Sequence, residues 1–376
     1  MKKILALTLV LAMSLSLAAC GGGGGKSKGN ASSGTPAGGS STSQTGGSSS
    51  QGTPAQSFKV GVVTPSGDHG FTGESVQQAN LMAKEMMAKY DGLDVQVKDS
   101  IDASAQITSI ENLIAGGDVD MIILWPMEGE ALRSAAQSIV DADIKLVVYD
   151  RLIENFDGKM GDIMGDNVGI GTAMGEYLTE FFTGDESVQY LRFVGGSSTV
   201  TSQRSEGMDN VLDAKFEQIA ETQVTNWSSE TAQTQMENWL SAQDKATIEG
   251  LDLIVTHDDE IVDGLMNALE AYDGDAQINV CLITSVGGRE ETMQKFENTS
   301  LDVKFCTFFF SPSFIRDAFL LGIGALYNEP YQAEQDANGT YLIPSFSITN
   351  ADLAGDYNFD SYRASEAYEN RYAING

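Results

Sequence analysis

Two distant segments of this chain repeat the same order of elements, and this repeat limits what the chain can fold into. One segment, QVKDSIDASAQITSIENLIAGGDVDMIILWPMEGEAL, begins at Gln96. The other, QVTNWSSETAQTQMENWLSAQDKATIEGLDLIVTHDDEIVDGL, begins at Gln223. Each starts with a short strand and a polar loop, followed by a helical stretch around IENL or MENW. Each then reaches an apolar strand, VDMIIL or LDLIVT, and continues into another loop and helix.

The segments before and after also correspond, so three pairs of units follow one another in the same order. FKVGVVTPSGDHGF pairs with SVQYLRFVGGSSTV, and IKLVVYDR pairs with INVCLITS. Alternating strands and helices predict parallel strands joined by helical crossovers, and continuous apolar strands fit sheets covered on both faces. We therefore predict an α/β fold of two similar doubly wound, parallel-sheet lobes. Because ligands bind outside the carboxyl ends of such strands, two facing lobes predict a binding cleft.

The charge of the chain excludes several classes of partner. The first 57 residues contain four lysines and no acidic residue, so the remainder carries 18 basic against 53 acidic groups. A net charge of about −35 disfavours nucleic acids and anionic lipid surfaces as partners. The remainder is also longer than one hydrophobic core usually supports, which agrees with two lobes.

The N-terminal residues predict export and a lipid anchor. Lys2 and Lys3 precede an apolar run from Ile4 to Leu17, and LAAC then ends at Cys20. This pattern resembles a bacterial lipobox, which implies that residues 1–20 are a signal and that Cys20 is lipidated. The alternative is a membrane helix, but the run is too short to span a bilayer comfortably. Residues 21–57 are mostly Gly, Ser, Thr, Ala and Gln, and predict a disordered linker with a reach of about 30–35 Å.

Two further cysteines, Cys281 and Cys306, lie in apolar, strand-like runs. We expect both to be buried free thiols, while a bridge between them remains the alternative.

Charged and aromatic residues follow the predicted strands where a ligand would bind. In KLVVYDRLI, the apolar strand Leu146–Tyr149 is followed directly by Asp150 and Arg151, a charge pair at the predicted binding edge. Asp68, Asn226 and Phe310 also follow strands. The other ligand-binding candidates at strand ends are His69, Phe71, Trp125, Asn167, Ser202, Arg204, Trp227, Asp258, Arg289 and Ser311.

This set of side chains is typical of a sugar site. Carboxylates, amides and guanidinium groups bind adjacent hydroxyls, and aromatic rings cover the apolar face of a pyranose or furanose. Several candidates have alternatives: Trp125 could pack within its lobe, and Arg204 could form an ion pair within its own helix, which we favour. Asp166–Asn167 could be a turn or a helix cap, and we expect Asp259 to cap a helix, which leaves Asp258 as the ligand candidate.

No cofactor, metal or catalytic site is predicted. His69 and His257 have no second His or Cys at ligand spacing, so loop hydrogen bonding is the favoured interpretation of both. Asp273–Gln277 is too short for a calcium loop of the EF type and predicts a turn. Catalytic and nucleotide-binding motifs are absent from the sequence, and GIGTAMGE at Gly169 is a weak glycine match inside a helix.

From Lys59 onward the chain resembles the periplasmic sugar-binding proteins of ABC transporters, which have the type I fold. VVYDRLI and GDNVGIGTAMGEYL are especially similar to the xylose-binding and multiple-sugar-binding branch. The resemblance implies that Asp150 and Arg151 grip sugar hydroxyls, that Trp227 stacks on the ring, and that Asp258 and Phe71 contact the ligand. Two positions depart from the family: Gly287 stands where an Asp is frequent, and Ser202 stands where the ribose type has Arg.

The resemblance also implies the domain limits and the function. An N-terminal lobe of residues 58–165 plus 311–343 and a C-terminal lobe of 166–310 plus 344–376 are expected to be joined by three crossings. The expected function is a lipid-anchored, monomeric receptor that binds a pentose or hexose and delivers it to an ABC permease. A sensing module that presents the sugar to a receptor kinase is the alternative. A glycosidase would need two carboxylates at a set separation, and we predict no enzyme. The predicted signal excludes a cytoplasmic repressor.

Overall fold

The computed structural model describes residues 56–68 and 70–372. The predicted signal with Cys20, almost all of the linker, and His69 lie outside the described residues. The strands are β1 (Phe58–Pro65), β2 (Leu93–Ser100), β3 (Met121–Leu124), β4 (Lys145–Tyr149), β5 (Gly161–Gly165), β6 (Val188–Val194), β7 (Phe216–Gln218), β8 (Gln223–Val224), β9 (Leu253–Thr256), β10 (Leu282–Gly287), β11 (Lys304–Phe309), β12 (Thr340–Ile343), β13 (Ser347–Thr349) and β14 (Tyr357–Asn358).

Helices follow most of these strands. They are α1 (Gly70–Lys89), α2 (Ala103–Gly116), α3 (Gly129–Asp141), α4 (Asn167–Phe181), α5 (Thr199–Asp209), α6 (Ser229–Ala242), α7 (Lys245–Glu249), α8 (Asp259–Ala271), α9 (Glu290–Asn298), α10 (Ile315–Leu326), α11 (Phe359–Arg363) and α12 (Glu366–Tyr372). A 3-10 turn, Pro312–Phe314, precedes α10.

The strands form two sheets with the same internal order, which confirms the predicted pair of doubly wound lobes. The first sheet has six strands in the order β12-β5-β4-β3-β1-β2, and all its pairs are parallel. The second has eight strands: β14-β13-β11-β10-β9-β6-β7 follow one another, and β8 pairs with β6. The order β5-β4-β3-β1-β2 thus recurs as β11-β10-β9-β6-β8, which is the repeat seen in the sequence. The antiparallel pairing of β13 with β11 is a departure from a purely parallel sheet.

The central strands are buried on both faces, as the continuous apolar runs predicted. In β3, Met121 and Ile123 belong to one hydrophobic cluster, whereas Ile122 and Leu124 belong to another on the opposite face of the sheet. This alternation is the two-residue period of a strand, and burying each such side chain contributes roughly 1.5–3 kcal/mol. The rigid sheet therefore holds the loops at its carboxyl edge in place.

Short polar side chains start the helices directly after the strands. Asp102, Asp166, Ser198, Ser228 and Asp258 are N-caps, and each side chain accepts a hydrogen bond from a backbone N–H two or three residues later. These caps satisfy donors that the first helical turn cannot satisfy itself. Each cap also fixes the strand-to-helix loop whose side chains face the other lobe.

The chain passes between the two sheets three times: at Asp166, around Phe310–Ser311, and through residues 344–346. We propose the predicted domain limits on this basis.

The last helix, α12, contacts both lobes. The buried guanidinium group of Arg371 donates to the Phe310 carbonyl at 3.2 Å and lies 3.2 Å from Glu74 on α1. The Tyr372 hydroxyl accepts a hydrogen bond from the Glu290 N–H at the start of α9. The C-terminal helix therefore bridges the hinge, a role that its assignment to the second lobe alone did not include.

Two further expectations concern the described residues. Cys281 and Cys306 are both free, so the alternative of a bridge is wrong. Within residues 56–68 and 70–372, no helix has the length and apolar character needed to cross a membrane.

Candidate functional site

A cavity of about 280 Å³ lies between the carboxyl edges of the two sheets. Its wall combines carboxylates, guanidinium groups and aromatic rings from both lobes. The lining residues are Pro65, Ser66, Asp68, Phe71, Thr72, Ile101, Trp125, Met127, Asp150, Arg151, Val200, Arg204, Asn226, Trp227, Asp258, Glu260 and Phe310.

Asp150 stands at the end of β4 in a backbone conformation that L-residues rarely adopt. Its φ is +64°, and its side chain is 4% exposed. The Trp125 indole N–H donates to its Oδ2 at 2.9 Å, and the Arg151 Nε lies 3.8 Å from the same oxygen. A left-handed non-glycine residue costs about 1–2 kcal/mol, and such strain concentrates at functional sites because the surrounding structure holds it. The Asp150 carboxylate is therefore fixed at the cavity wall.

Burial raises the pKa of the Asp150 carboxyl, while Arg151, Arg204 and the Trp125 hydrogen bond act in the opposite direction. Two cations thus face this one carboxylate. Arg151 also donates to the Met127 carbonyl, and its guanidinium carbon lies 5.9 Å from the centre of the Trp125 ring. Asp150 and Arg151 therefore form the charge pair expected from the sequence, and Trp125 contacts both side chains.

Trp125 combines both roles that were left open for it. It is 1% exposed and packs edge-on against Phe71 and Tyr149, so it belongs to the core. Its indole N–H nevertheless holds Asp150, and one part of its ring lines the cavity. Trp125 is therefore a positioning residue for the acidic group.

Arg204 does not form the ion pair within its own helix that we favoured. Its side chain is 3% exposed, and its Nε and Nη1 donate to Asn167 Oδ1 at 2.9 Å and to the His257 carbonyl at 2.6 Å. The guanidinium carbon lies 4.8 Å from the centre of the Phe310 ring. Burial lowers the pKa of Arg204 to about 10, so the group stays charged at neutral pH. The hydrogen-bond partners of Arg204 lie outside its own helix, so the pattern of residues along that helix could not predict them.

Asn167 therefore acts behind the cavity wall rather than on it. Its Nδ2 donates a hydrogen bond to the Gly165 carbonyl, and its Oδ1 accepts one from the Arg204 Nε. Asp166, its neighbour, is the N-cap of α4. His257 offers its carbonyl to Arg204, but its buried Nδ1 has no hydrogen-bond partner, so the side-chain loop hydrogen bond expected for it is absent at this atom.

Trp227 lies with its indole against the glycine pair Gly195–Gly196. A Cβ at Gly195 would lie 2.1 Å from the Trp227 ring, so only glycine allows this close approach. Asn226 and Trp227 have φ values of +52° and +63°, which turn the chain sharply after β8. One face of the indole is thus covered by backbone, and Trp227 lines the cavity.

The cap of α8 is Asp258 and not Asp259, which was the cap predicted from the sequence. Asp258 caps α8 by accepting from the Glu260 N–H at 2.8 Å, and it also lines the cavity. Asp259 is fully buried, and its Oδ2 accepts from the Gly288 and Arg289 N–H groups. Burial, with Asp259 and Glu260 adding to it, raises the pKa of Asp258 to about 7, although Arg289 opposes the shift. The helix begins one residue earlier than expected, so Asp258 takes the capping role while it lines the cavity.

Three predicted residues besides Asn167 do not line the cavity. Ser202 precedes Arg204 by two residues, which is about 200° around a helix, and it is exposed with its hydroxyl bonded to its own helix. Arg289 forms an ion pair with Asp263 at 3.0 Å. Ser311 is fully buried and caps the 3-10 turn. Their strand-end positions were correct, but their side chains serve the local loops.

Seven lining residues were not predicted from the sequence: Pro65, Ser66, Thr72, Ile101, Met127, Val200 and Glu260. Thr72, Val200 and Glu260 lie in the first turns of α1, α5 and α8, and Met127 follows β3. The N-caps Ser198 and Asp258 would have drawn attention to Val200 and Glu260, because each of these residues lies in the first turn after a cap. Among the described residues, no cluster of three or more His, Cys, Asp or Glu has the arrangement of a metal site.

Comparisons with known proteins place the sequence in a family. A family model described as "Periplasmic binding protein domain" matches residues 60–309. The putative rhizopine-binding protein of Rhizobium meliloti is 27% identical over 273 residues, which cover 70% of this chain and 82% of that protein. The ribose import binding protein of Bacillus subtilis is 26% identical over 219 residues, which cover 58% of this chain and 67% of that protein.

A solved structure has the same fold. It is an ABC transporter solute binding protein from Clostridium phytofermentans with bound β-D-glucose, and it aligns with a TM-score of 0.67 at 20% identity. The alignment covers 81% of this chain and 95% of that one.

Proposed function

The chain belongs to the family of periplasmic binding proteins, and from this premise we propose that it is the substrate-binding protein of an ABC transporter. It binds a monosaccharide in the cavity between its lobes, outside the cytoplasm, and delivers it to the permease. It is a binding protein and not an enzyme, in agreement with the relatives, which are named as binding proteins.

The observation that carries the proposal is that a preorganised charged group and an aromatic surface line the same cavity. Asp150 and Arg151 offer bidentate hydrogen bonds to neighbouring hydroxyls, and Trp227 offers a flat apolar surface to the C–H face of a sugar ring. Hydrogen bonds to charged groups contribute about 1.5–3 kcal/mol each, so a few of them support micromolar or tighter affinity.

The size of the cavity supports a single sugar unit. A volume of about 280 Å³ lies near the lower end of the range for small-molecule sites, about 300–1,000 Å³. Longer oligosaccharides would extend out of the space between the lobes.

The N-terminal sequence supports the mode of attachment that we propose. Lys2, Lys3, the apolar run and LAAC predict a protein held at the membrane by a lipid on Cys20 alone, with residues 21–57 as its tether. Cys20→Ala is expected to move the protein from the membrane fraction to the soluble exported fraction. Unchanged fractionation would contradict the anchor.

A ligand screen followed by affinity measurements on three variants tests the sugar site. Pentoses, hexoses and polyols are screened by thermal shift, and affinities of the hits are measured by calorimetry. Asp150→Ala and Trp227→Ala are each expected to weaken binding at least 100-fold, since each removes a central contact. Trp239→Ala is the matched control, because Trp239 lies on α6 away from the cavity. Wild-type affinity in Trp227→Ala would remove that residue from the site, and a screen without any hit would overturn the proposed function.

A further inference from the structure

Ile101 has an unusual position for an aliphatic residue. It is 79% exposed, the most of any large apolar residue among residues 56–68 and 70–372, and yet it lines the cavity. A single exposed apolar side chain is common on protein surfaces and by itself indicates nothing. The surroundings of Ile101 therefore have to show whether it serves the site.

The internal repeat gives Ile101 the same place in the first lobe that Trp227 has in the second. β2 and β8 occupy corresponding positions in the repeated strand order. Ile101 follows β2 and directly precedes Asp102, the N-cap of α2. Trp227 follows β8 and directly precedes Ser228, the N-cap of α6. Both lobes thus place an apolar side chain of the cavity wall at the same strand end, but a flat indole fits the face of a ring, whereas a branched aliphatic group fits a methyl group.

Ile101 belongs to an apolar end of the first-lobe wall. β3, β1 and β2 are neighbours in the sheet, and the cavity-lining residues at their carboxyl ends include Met127, Pro65 and Ile101. Pro65 pairs in register with Ser100, the residue before Ile101. The buried Gln106 of α2 accepts a hydrogen bond from the Met127 N–H at 2.8 Å, which ties the loop after β3 to the helix after β2. The three apolar residues therefore lie at adjacent strand ends.

The Asp150–Arg151 pair lies at the other end of this wall, since β4 is on the far side of β3 from β1 and β2. A ligand hydroxyl that meets Ile101 would lose its water and gain no hydrogen bond there, which weakens binding. A methyl group buried at the same place strengthens binding about fourfold. Ser66 and Asp68 follow β1 and line the same cavity, so the apolar surface is narrow and suits one methyl group rather than a longer chain.

We propose, on the basis of the function proposed above, that the preferred ligand is a sugar or cyclic polyol bearing one methyl group, as in a 6-deoxy sugar or a methyl ether, and that Ile101 receives this group. The hydroxyls of the same ligand bind Asp150 and Arg151, and Trp227 covers the C–H face of its ring. Ile101 is then a specificity-determining residue, because it separates the methyl-bearing compound from its hydroxyl parent.

Matched ligand pairs test the proposal by calorimetry. The pairs are D-galactose with D-fucose, L-mannose with L-rhamnose, D-glucose with 3-O-methyl-D-glucose, and myo-inositol with its monomethyl ethers. At least one methyl-bearing compound is expected to bind at least fourfold more tightly than its hydroxyl parent. A smaller preference, or none, in every pair that binds would overturn the proposal and leave the proposed function intact.

Variants at the rim locate the preference. Ile101→Ser is expected to weaken the methyl-bearing compound at least fourfold and its hydroxyl parent less than twofold, whereas Ile101→Val keeps most of the preference. Leu320→Ser is the matched control and changes neither affinity, because Leu320 is also exposed but lies on α10 away from the cavity. An equal effect of Ile101→Ser on both compounds would overturn the assignment of Ile101, and absence of binding by every compound would overturn the proposed function together with it.

Discussion

Two features of the surroundings of Asp258 act in opposite directions on the ionisation of its carboxyl group. As the N-cap of α8 it benefits from a negative charge at the helix N-terminus, but its position beside Asp259 and Glu260 disfavours ionisation. The result is a pKa of about 7, far above the usual aspartate value. Without ligand, the folded state therefore holds a proton that the unfolded chain releases.

This proton gives a testable pH dependence. Because the folded pKa is raised, the folded state binds more protons than the unfolded state between about pH 4 and pH 7, so the free energy of unfolding falls as pH rises through this window. Asp258→Asn keeps a capping side chain and removes the titration. We expect the variant without ligand to be more stable than wild type at pH 8, by up to about 4 kcal/mol, and little different at pH 4. Chemical unfolding at both pH values measures this.

A second N-cap provides the control. Asp244 caps α7 at the surface, and hydrogen bonds from Thr247 lower its pKa. Asp244→Asn is therefore expected not to stabilise the protein at pH 8. If Asp258→Asn also fails to stabilise it at pH 8, ionisation of the Asp258 carboxyl does not destabilise the folded state.

The same residues show how far the sequence carries a prediction of the site. The rule that polar residues at parallel strand ends converge identified Asp150, Arg151, Trp227 and Asp258, because it depends only on where strands end. Side-chain direction depends on the helix start, and a one-residue error assigned the cap of α8 to Asp259 instead of Asp258. The left-handed φ values at Asp150 and Trp227 were not predictable, since neither is glycine and tertiary packing imposes them.

At the scale of elements, the internal repeat predicted two similar parallel-sheet lobes, because each βα unit buries a strand that is apolar throughout. It did not predict α12, whose sequence EAYENRY is polar and has no counterpart in the repeat. The contacts that place this helix join residues 297 positions apart in the chain, Arg371 and Glu74. Helix and strand periodicities describe neighbouring residues, so they cannot predict a contact between residues this far apart in the chain.

The position of α12 leads to a prediction about the hinge. Arg371 connects the Phe310 carbonyl, beside the cavity, with Glu74 on α1. Arg371→Ala removes the guanidinium partner of Glu74 and of the Phe310 carbonyl, and it loosens the segment that carries Phe310. We expect the melting temperature to fall by several degrees, a loss on the order of 3 kcal/mol for a broken buried ion pair, and ligand to dissociate at least fivefold faster.

Arg363 on α11 is the matched control, because its ion pairs to Glu290 and Glu297 stay within the second lobe. Arg363→Ala should leave the dissociation rate within twofold of wild type in stopped-flow experiments. Equal dissociation rates for both variants would show that α12 has no part in holding the lobes.

At the scale of the whole molecule, the two lobes touch across the cavity. The Leu152 N–H, beyond β4, donates to Thr199 Oγ1 at the start of α5, with an N–O distance of 3.3 Å. Gly70 lies against Glu260 of the opposite lobe, since a Cβ there would come within 1.8 Å of its Oε2. The structure is therefore a closed form, and the absence of a side chain at Gly70 permits the closure.

Closure can be blocked at this contact. Gly70→Ala places a methyl group in the path of Glu260 when the lobes close, and the positive φ of +53° adds about 1 kcal/mol of strain. We expect ligand affinity to fall at least tenfold, because ligand binding favours the closed form. Glu260→Asp shortens the opposing side chain, so the double variant is expected to bind more tightly than the product of the two single effects predicts. Additive losses in calorimetry would contradict a steric block.

The two thiols of the folded body bear on how this molecule can be observed. Cys306 is fully buried and Cys281 is partly buried, and burial raises the pKa of both thiols. A cysteine introduced for Ile101, which is 79% exposed on the rim of the cavity, would therefore outcompete them for a maleimide dye. A fluorophore at that rim would change its surroundings each time a ligand enters, which would turn the chain into an optical sensor for its own cargo.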